Sequence, residues 1–455
     1  MRFTSLCLAD PDDLMFGRAP KPVDCGLGLR IGAGAVYPEV NFTLPAMALD
    51  ESTRAGTLSI YEEIARAVVA RATALQAPGL VIEFEHLPPM TESPEWGAEL
   101  TERLATVLRD AHAATGLPCA LRVTPVDVRN GGRPPRLRAS RGWEAVHESF
   151  VLCAEAGADI LSIESIGGKE VSDEALLRGD IEGIVFALGV LSARDMAWLW
   201  DEIVSISQSH SVVPGGDSAC GFANTAMQLA HQRLLPETLA AVVRAMGAAR
   251  SLVAFERGAL GPSKDCAYEG PVLKAIAGCS LSMEGKTAAC AHFSPVGNIA
   301  ASMCDLWSNE SVQDVRLLSG SAPEAFTEAL IYDCRLMNEA LQRGKEKTLR
   351  DLLVSSDVYR SPQALVLSPQ AAVAIGSAIV GEQEDYGRTV KAGLTAAGLI
   401  REAVDSSLLS LSRAECRWLE RIESTLASLP QEEGELRERV ASTYGHLYDP
   451  ASYAL

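Results

Sequence analysis

Apolar and polar positions alternate with two periods along the first two thirds of the chain, and the switches between them divide it into units. From Ser59 the run SIYEEIARAVVARATAL places apolar residues on one face at helical spacing, and Ala77-Pro78-Gly79 stops it. Leu80 to His86 (LVIEFEH) then has the short apolar, β-branched character of a strand. Trp96 to Thr115 is again helical, with a stop at Gly116-Leu117-Pro118 before a strand at Cys119 to Thr124. Trp143 to Ala156 is a third helix, ended by Gly157 and followed by a strand at Asp159 to Ser165. Further strand-like runs lie at Ile184 to Leu188, Ser211 to Val213, Leu252 to Glu256 and Ser280 to Met283. Helical stretches near Ala193 to Ile206, Thr238 to Ala248 and Tyr268 to Ala277 separate them.

A first strand around Leu27 to Ile31 brings the number to eight, with a loop after it whose Glu39 and Asn41 can face a pocket. Eight strands alternating with helices predict a closed (β/α)8 TIM barrel, with an open doubly wound sheet as the alternative. The glycines at 26, 28, 32 and 34 do not give the dinucleotide fingerprint, because position 31, where its last glycine belongs, is Ile31. After Trp307 the patterns are helical only. The expected organisation is an N-terminal extension over 1–25, a barrel over 26–310 and an additional C-terminal helical module over 311–455 packed on the barrel. QEEGELRER near the end is expected to be a solvated charged helix.

Composition narrows the function. The formal charge of -19 argues against a nucleic-acid or anionic-membrane partner, since both require clustered Lys and Arg. No continuous apolar run approaches the ~18 residues of a membrane span, and the first residues lack the pattern of a secretory signal, so the expected compartment is the cytoplasm. Eleven cysteines are scattered without a CxxC pair and are expected to be mostly buried free thiols.

In a barrel of this type the chemistry lies at the carboxyl ends of the strands. That rule selects Glu83, Glu85 and His86, then Arg122, then Glu164, then Asp217 and Cys220, then Cys266, and finally Lys286, Cys290 and His292. Glu164 ends an apolar strand, where a carboxylate requires a partner or a cation. Together with Cys220 and Cys266 it offers one oxygen and two sulfur donors, a set suited to catalytic zinc with a position left open. The spacings of these residues form no motif, and Cys290 with His292 is an equal rival on this ground.

Over nearly its whole length the chain resembles the methanol:corrinoid methyltransferases, the zinc subunit that works with a separate corrinoid protein. The resemblance runs through LGLRIGAG with PEVNF, EFEHLPPM, GADILSIESIGGKEV, GGDSACGFANTAM, RSLVAFERGALGPSKDCAYEG, SMEGKTAACAH and DLWSNESV. It implies a barrel with added helices and Zn2+ held by Glu164, Cys220 and Cys266. It also implies that methanol is the methyl donor, that Co(I) of a corrinoid on a partner protein is the acceptor, and that the chain forms a homodimer bound to corrinoid subunits. A zinc ion facing two thiolates and a carboxylate is a softened acid, so a proton donor is expected nearby; Glu83, Glu85 and Asp217 are unranked candidates. Asn224, Lys264 and Asp265 are expected to support the ligands or their loops, or to contact substrate.

The chain departs from the family pattern at Gly221-Phe222, next to the proposed ligand Cys220, which leaves open another O-methyl or small-alcohol donor. A thiol-alkylating zinc barrel and a zinc-retaining, non-catalytic assembly subunit are the remaining alternatives. Asp110-Ala111-His112 nearly meets a cobalt-binding DxHxxG motif, but its glycine falls at 116, and the helical pattern accounts for the segment. The corrinoid is therefore expected on another protein. Met303, Cys304 and Trp307 are expected in the core, and Asp305 in a helix or turn.

Overall fold

A computed structural model describes residues 1–44, 47–286, 294–312, 316–317 and 320–455. In chain order its main strands are β1 (Arg18–Cys25), β2 (Leu29–Ala33), β3 (Tyr37–Thr43), β4 (Leu80–Glu85), β5 (Cys119–Thr124), β6 (Ile160–Ile163), β7 (Val213–Asp217), β8 (Ser282–Glu284) and β9 (Leu306–Val312). Seven of them form one curled parallel sheet in the order β7-β6-β5-β4-β3-β9-β8. Neighbours in sequence are neighbours in space and the order never reverses, which is barrel topology and not a doubly wound sheet. Residues 260–263 span the gap between the two edge strands. On one side Leu260 N and Gly261 N donate to Pro214 O and Gly215 O at 2.8 and 2.9 Å, and on the other Ser263 N donates to Ser280 O at 3.2 Å.

The stretches that read clearly as strands are those buried on both faces. β4, β5 and β6 are apolar runs covered by helices, as parallel strands must be. Four expectations are corrected. The run at Leu27 to Ile31 is not a barrel strand: β2 pairs antiparallel with β1, and the first barrel strand is β3, in the stretch expected to be a loop. Ile184 to Leu188 and Leu252 to Glu256 are helical, within Ile181–Phe186 with its following π turn and within Glu237–Arg257. Nearly every residue of the second helix is buried, so it lacks the polar face that marks a helix by its period. β9 escapes sequence reading because Ser308, Asn309 and Ser311 are polar yet buried on one face of the strand or the other. The strand at Ser211 to Val213 is displaced forward, its extended part being Val213–Asp217.

Ile181–His210 and Glu237–Arg257 are long and apolar enough to cross a membrane, but 83% and 100% of their apolar windows are buried inside the protein. They are core helices, assembled from shorter apolar runs that the sequence pattern treats separately.

The β1–β2 hairpin closes the amino-terminal end of the barrel. Val23, Cys25, Leu29 and Ile31 alternate inward and pack on Val81, Ala120, Ile160 and Leu306, residues at or near the starts of four barrel strands. Leu27 N donates to Cys119 O at 2.7 Å. The approach is close enough that a Cβ on Gly26 would lie 2.4 Å from the same oxygen.

The expected boundary at 310 falls inside β9. Helix Ala322–Gln342 lies against β3 and β9. The described residues from 346 to 444 are helices and short connections, and Asp385–Asp405 packs on Glu237–Arg257.

Candidate metal centre

Glu164 follows β6 directly, Cys220 opens the helix Cys220–His231 after β7, and Cys266 follows the closing segment 260–263. These three loops leave the same rim. One carboxylate oxygen of Glu164 and the two sulfurs lie within 4.8 Å of one another. Cys266 Sγ is 2.9 Å from Glu164 Oε1, and Asn224 Nδ2 donates to Cys220 Sγ at 2.7 Å from one turn further along the same helix. Both cysteines are buried, whereas the Glu164 side chain is about a third exposed.

The electrostatics are those of anions gathered with too little positive charge. Burial, reinforced by Glu85 and opposed by Lys264, pushes the Glu164 carboxyl up to about 7. The contact with Cys266 works downward on the Cys220 thiol, but burial and Glu164 carry it up to about 12. Burial first, then Cys220 and Glu164, holds the Cys266 thiol well above its usual range. A divalent cation would replace the protons of all three groups, and an oxygen–sulfur–sulfur donor set fits zinc with a position open for a ligand.

Lys264 lies under this site with only 1% of its side chain exposed. Its Nζ reaches Asp265 at 2.6 Å, Glu83 at 2.9 Å, Glu85 at 3.3 Å and Glu164 at 3.8 Å. Burial disfavours the charge of Lys264, but Asp265, Glu83 and Glu85 outweigh it and raise its pKa well above the usual value. Asp265 also accepts from Ser308 Oγ at 3.1 Å; burial would raise its pKa, yet Lys264 holds it at about 2.

The three proton-donor candidates occupy different places. Glu83 and Glu85 point to the same side of β4, but at different heights. Glu83 is fully buried between Lys264 and Thr124 Oγ1, the latter at 2.8 Å, while Glu85 is about a third exposed and takes Asn41 Nδ2 at 3.2 Å. Asp217 is fully buried and engaged by Trp200 Nε1 at 3.1 Å, Ser165 N at 3.2 Å, Ser218 N at 2.7 Å and Arg250 at 3.2 Å. It is part of the frame, with no oxygen left to face a substrate.

Phe222 is also turned away: its ring lies under Arg250, 5.0 Å from the guanidinium, and only Gly221 of the divergent pair borders the rim, near Lys169. Glu39 is buried, paired with Arg122 at 2.8 Å and hydrogen-bonded to Ser282. Cys290 and His292 fall outside the described residues. His112 Nδ1 lies 2.9 Å from Leu117 O at the end of its helix, which Gly116 caps with φ +73°. Substituting His112 by Ala is therefore expected to leave catalysis at the rim unchanged, as steady-state rates would show; a loss of ~10-fold or more would give this imidazole a part in the reaction. Met303, Cys304 and Trp307 are core residues. Asp305 is more than a turn residue, since it forms a fully buried ion pair with Lys274 at 2.9 Å.

Sequence reasoning missed Glu284, whose carboxylate lies within 4.8 Å of donor atoms of Asp265 and Cys266. It also missed the ion pairs beneath the Glu164 loop, where Arg129 bridges Asp127 and Asp195 at 2.7 and 2.8 Å, all three side chains fully buried. Asp127 Oδ2 accepts from Ile166 N at 3.0 Å, and Tyr453 OH accepts from Gly168 N at 3.0 Å. The double glycine of SIGGKE answers to this packing: a Cβ on Gly167 would lie 2.3 Å from Asp195, and Gly168 has φ +82°.

By fold the chain is a protein of the β/α-barrel class, with its carboxylates and thiols gathered at the carboxyl ends of the strands. The family described as methanol-cobalamin methyltransferase B subunit matches residues 1–454. The methanol–corrinoid protein co-methyltransferase of Methanosarcina barkeri (strain Fusaro / DSM 804) is 40% identical over 422 residues, covering 92% of this chain and 91% of that one. The crystal structure of the methanol:cobalamin methyltransferase complex MtaBC from Methanosarcina barkeri matches with a TM-score of 0.96 and 38% identity, across 100% of both chains. The chain belongs to the methanol-cobalamin methyltransferase B subunit family, and it is a methyltransferase.

Proposed function

We propose that this chain, working in the cytoplasm, takes the methyl group of methanol and passes it to Co(I) of a corrinoid carried on a separate protein, with zinc held by Glu164, Cys220 and Cys266. The observation that carries the reading is the convergence of one carboxylate and two thiols within 4.8 Å on the rim of a barrel of this family. Bound there, zinc supplies a Lewis acid for the methanol oxygen. The protein's own groups do the rest. Asn224 orients the Cys220 sulfur through its 2.7 Å contact, and Lys264 tempers the negative charge of the set. Glu85 is the group placed to supply the proton that lets the oxygen depart as water. It is about a third exposed, shares Lys264 with Glu164 and is held by Asn41.

The packing of the Phe222 ring against Arg250, away from the donor set, supports methanol over another donor. A homodimer carrying corrinoid subunits is the assembly proposed, and light scattering of the purified proteins tests it.

The direct test combines purified protein, reduced corrinoid protein and methanol, and follows the absorption change from Co(I) to methylcobalt(III). Conversion with methanol supports the reading; conversion with a different methyl donor only would overturn the choice of substrate. Glu85→Gln is expected to keep its zinc and to lose ~10²–10⁴-fold in kcat, the range of a general acid. An unchanged kcat would remove Glu85 from the proton path.

A further inference from the structure

The loops that carry Glu164 and Cys220 are joined below the rim by one side chain that plays no part in the chemistry above. Arg250, on helix Glu237–Arg257, is fully buried. Its Nη2 donates to Ser165 O at 2.9 Å and to Ser165 Oγ at 2.5 Å, and Ser165 follows Glu164 directly. Its Nη1 donates to Ser218 O at 2.9 Å, two residues before Cys220, and its Nε donates to Ser192 Oγ at 2.8 Å. Asp217 repeats the connection from the other side, with one oxygen accepting from both Ser165 N and Ser218 N while it pairs with Arg250. Ser218 passes the constraint on: its hydroxyl accepts from Cys220 N at 2.9 Å and lies 3.7 Å from Cys266 Sγ.

We infer that Arg250, locked to Asp217, is a positioning residue that sets the separation of the Glu164 and Cys220 loops and so prepares the donor set for its metal. The inference rests on the zinc reading above. Its basis is geometric. A guanidinium is a rigid planar fork that can hold Ser165, Ser192 and Ser218 at once, whereas the single ammonium of a lysine cannot span them. Every contact is desolvated, so the loops cannot drift apart without leaving buried donors and acceptors unpaired.

The test measures zinc affinity on full-length, folded protein by competition with a chromogenic chelator, well below the melting temperature recorded by circular dichroism. Arg250→Lys is expected to bind zinc ~10–100-fold more weakly than the unaltered protein, the usual effect of losing a group that orients metal ligands. Ser165→Ala, which removes one hydroxyl contact, is expected to move affinity in the same direction by about fivefold. Ser165→Ala keeps the test available if Arg250→Lys does not fold. Unaltered zinc affinity in the folded variants, with only the melting temperature lowered, would overturn the inference and leave Arg250 a structural residue. If the unaltered protein takes up no zinc, or Cys220→Ala retains a full complement, it is the zinc reading that fails.

Discussion

Purified Cys220→Ala and Cys266→Ala proteins are expected to fold, to contain far less zinc than the about one per chain proposed for the unaltered protein, and to lose methyl transfer by at least ~10³-fold. The size follows from what each sulfur contributes. The set has three donors, so removing one leaves a carboxylate and a single thiol, too few to hold zinc against competing water. Folding survives because each cysteine occupies little volume, and the loops are held by Arg250, Asp217 and Ser218 independently of the sulfur. Elemental analysis and the methylcobalt absorbance measure the two losses separately. Full zinc content in both variants would sink the ligand assignment whatever happened to the rate.

Replacing Lys264 by Met should be the most damaging change to stability, at ~3–5 kcal/mol by urea denaturation. Only 1% of the side chain is exposed, and it pairs with Asp265 and Glu83, both buried where water cannot take its place. Asp265 is the deciding partner: Lys264 holds its pKa at about 2 against burial, so without that cation the carboxyl is either a stranded buried charge or must take up a proton to fold, and either costs stability. The double variant Lys264→Met with Asp265→Asn should recover part of the loss, giving a coupling energy above ~1 kcal/mol in the double-mutant cycle. A single-variant loss below ~1 kcal/mol would mean that the cluster sheds its charge in another way.

The parts of this architecture that could be read from sequence are those where one local rule governs. β4, β5 and β6 are apolar and covered on both faces, and helix ends at Gly116 and Gly157 carry left-handed caps. β3 and β9 were missed for a shared reason: a barrel interior that holds Glu39, Asn41 and Ser308 makes its strands look like loops. The strand-end rule selected Glu164, Cys220 and Cys266 among other polar residues, and the family motifs singled them out. It could not rank Glu83 against Glu85, since residues two apart on a strand share a face and differ only in depth. The fastening beneath the rim was invisible: Arg250 and Ser165 are 85 residues apart, and although each lies in a stretch that carries the family resemblance, no local rule pairs them.

The hairpin of β1 and β2 makes the barrel a blind vessel, with its floor sealed by Val23, Cys25, Leu29 and Ile31. Among the described residues the rim is then the one doorway that methanol, the incoming corrinoid and the departing water would share on the proposed reaction. Traffic through a single doorway imposes an order: the small alcohol enters before the bulky acceptor covers the mouth, and water escapes once the acceptor withdraws. In steady-state kinetics this sequence predicts that excess corrinoid protein, by arriving first, slows turnover at low methanol and is relieved by raising the alcohol.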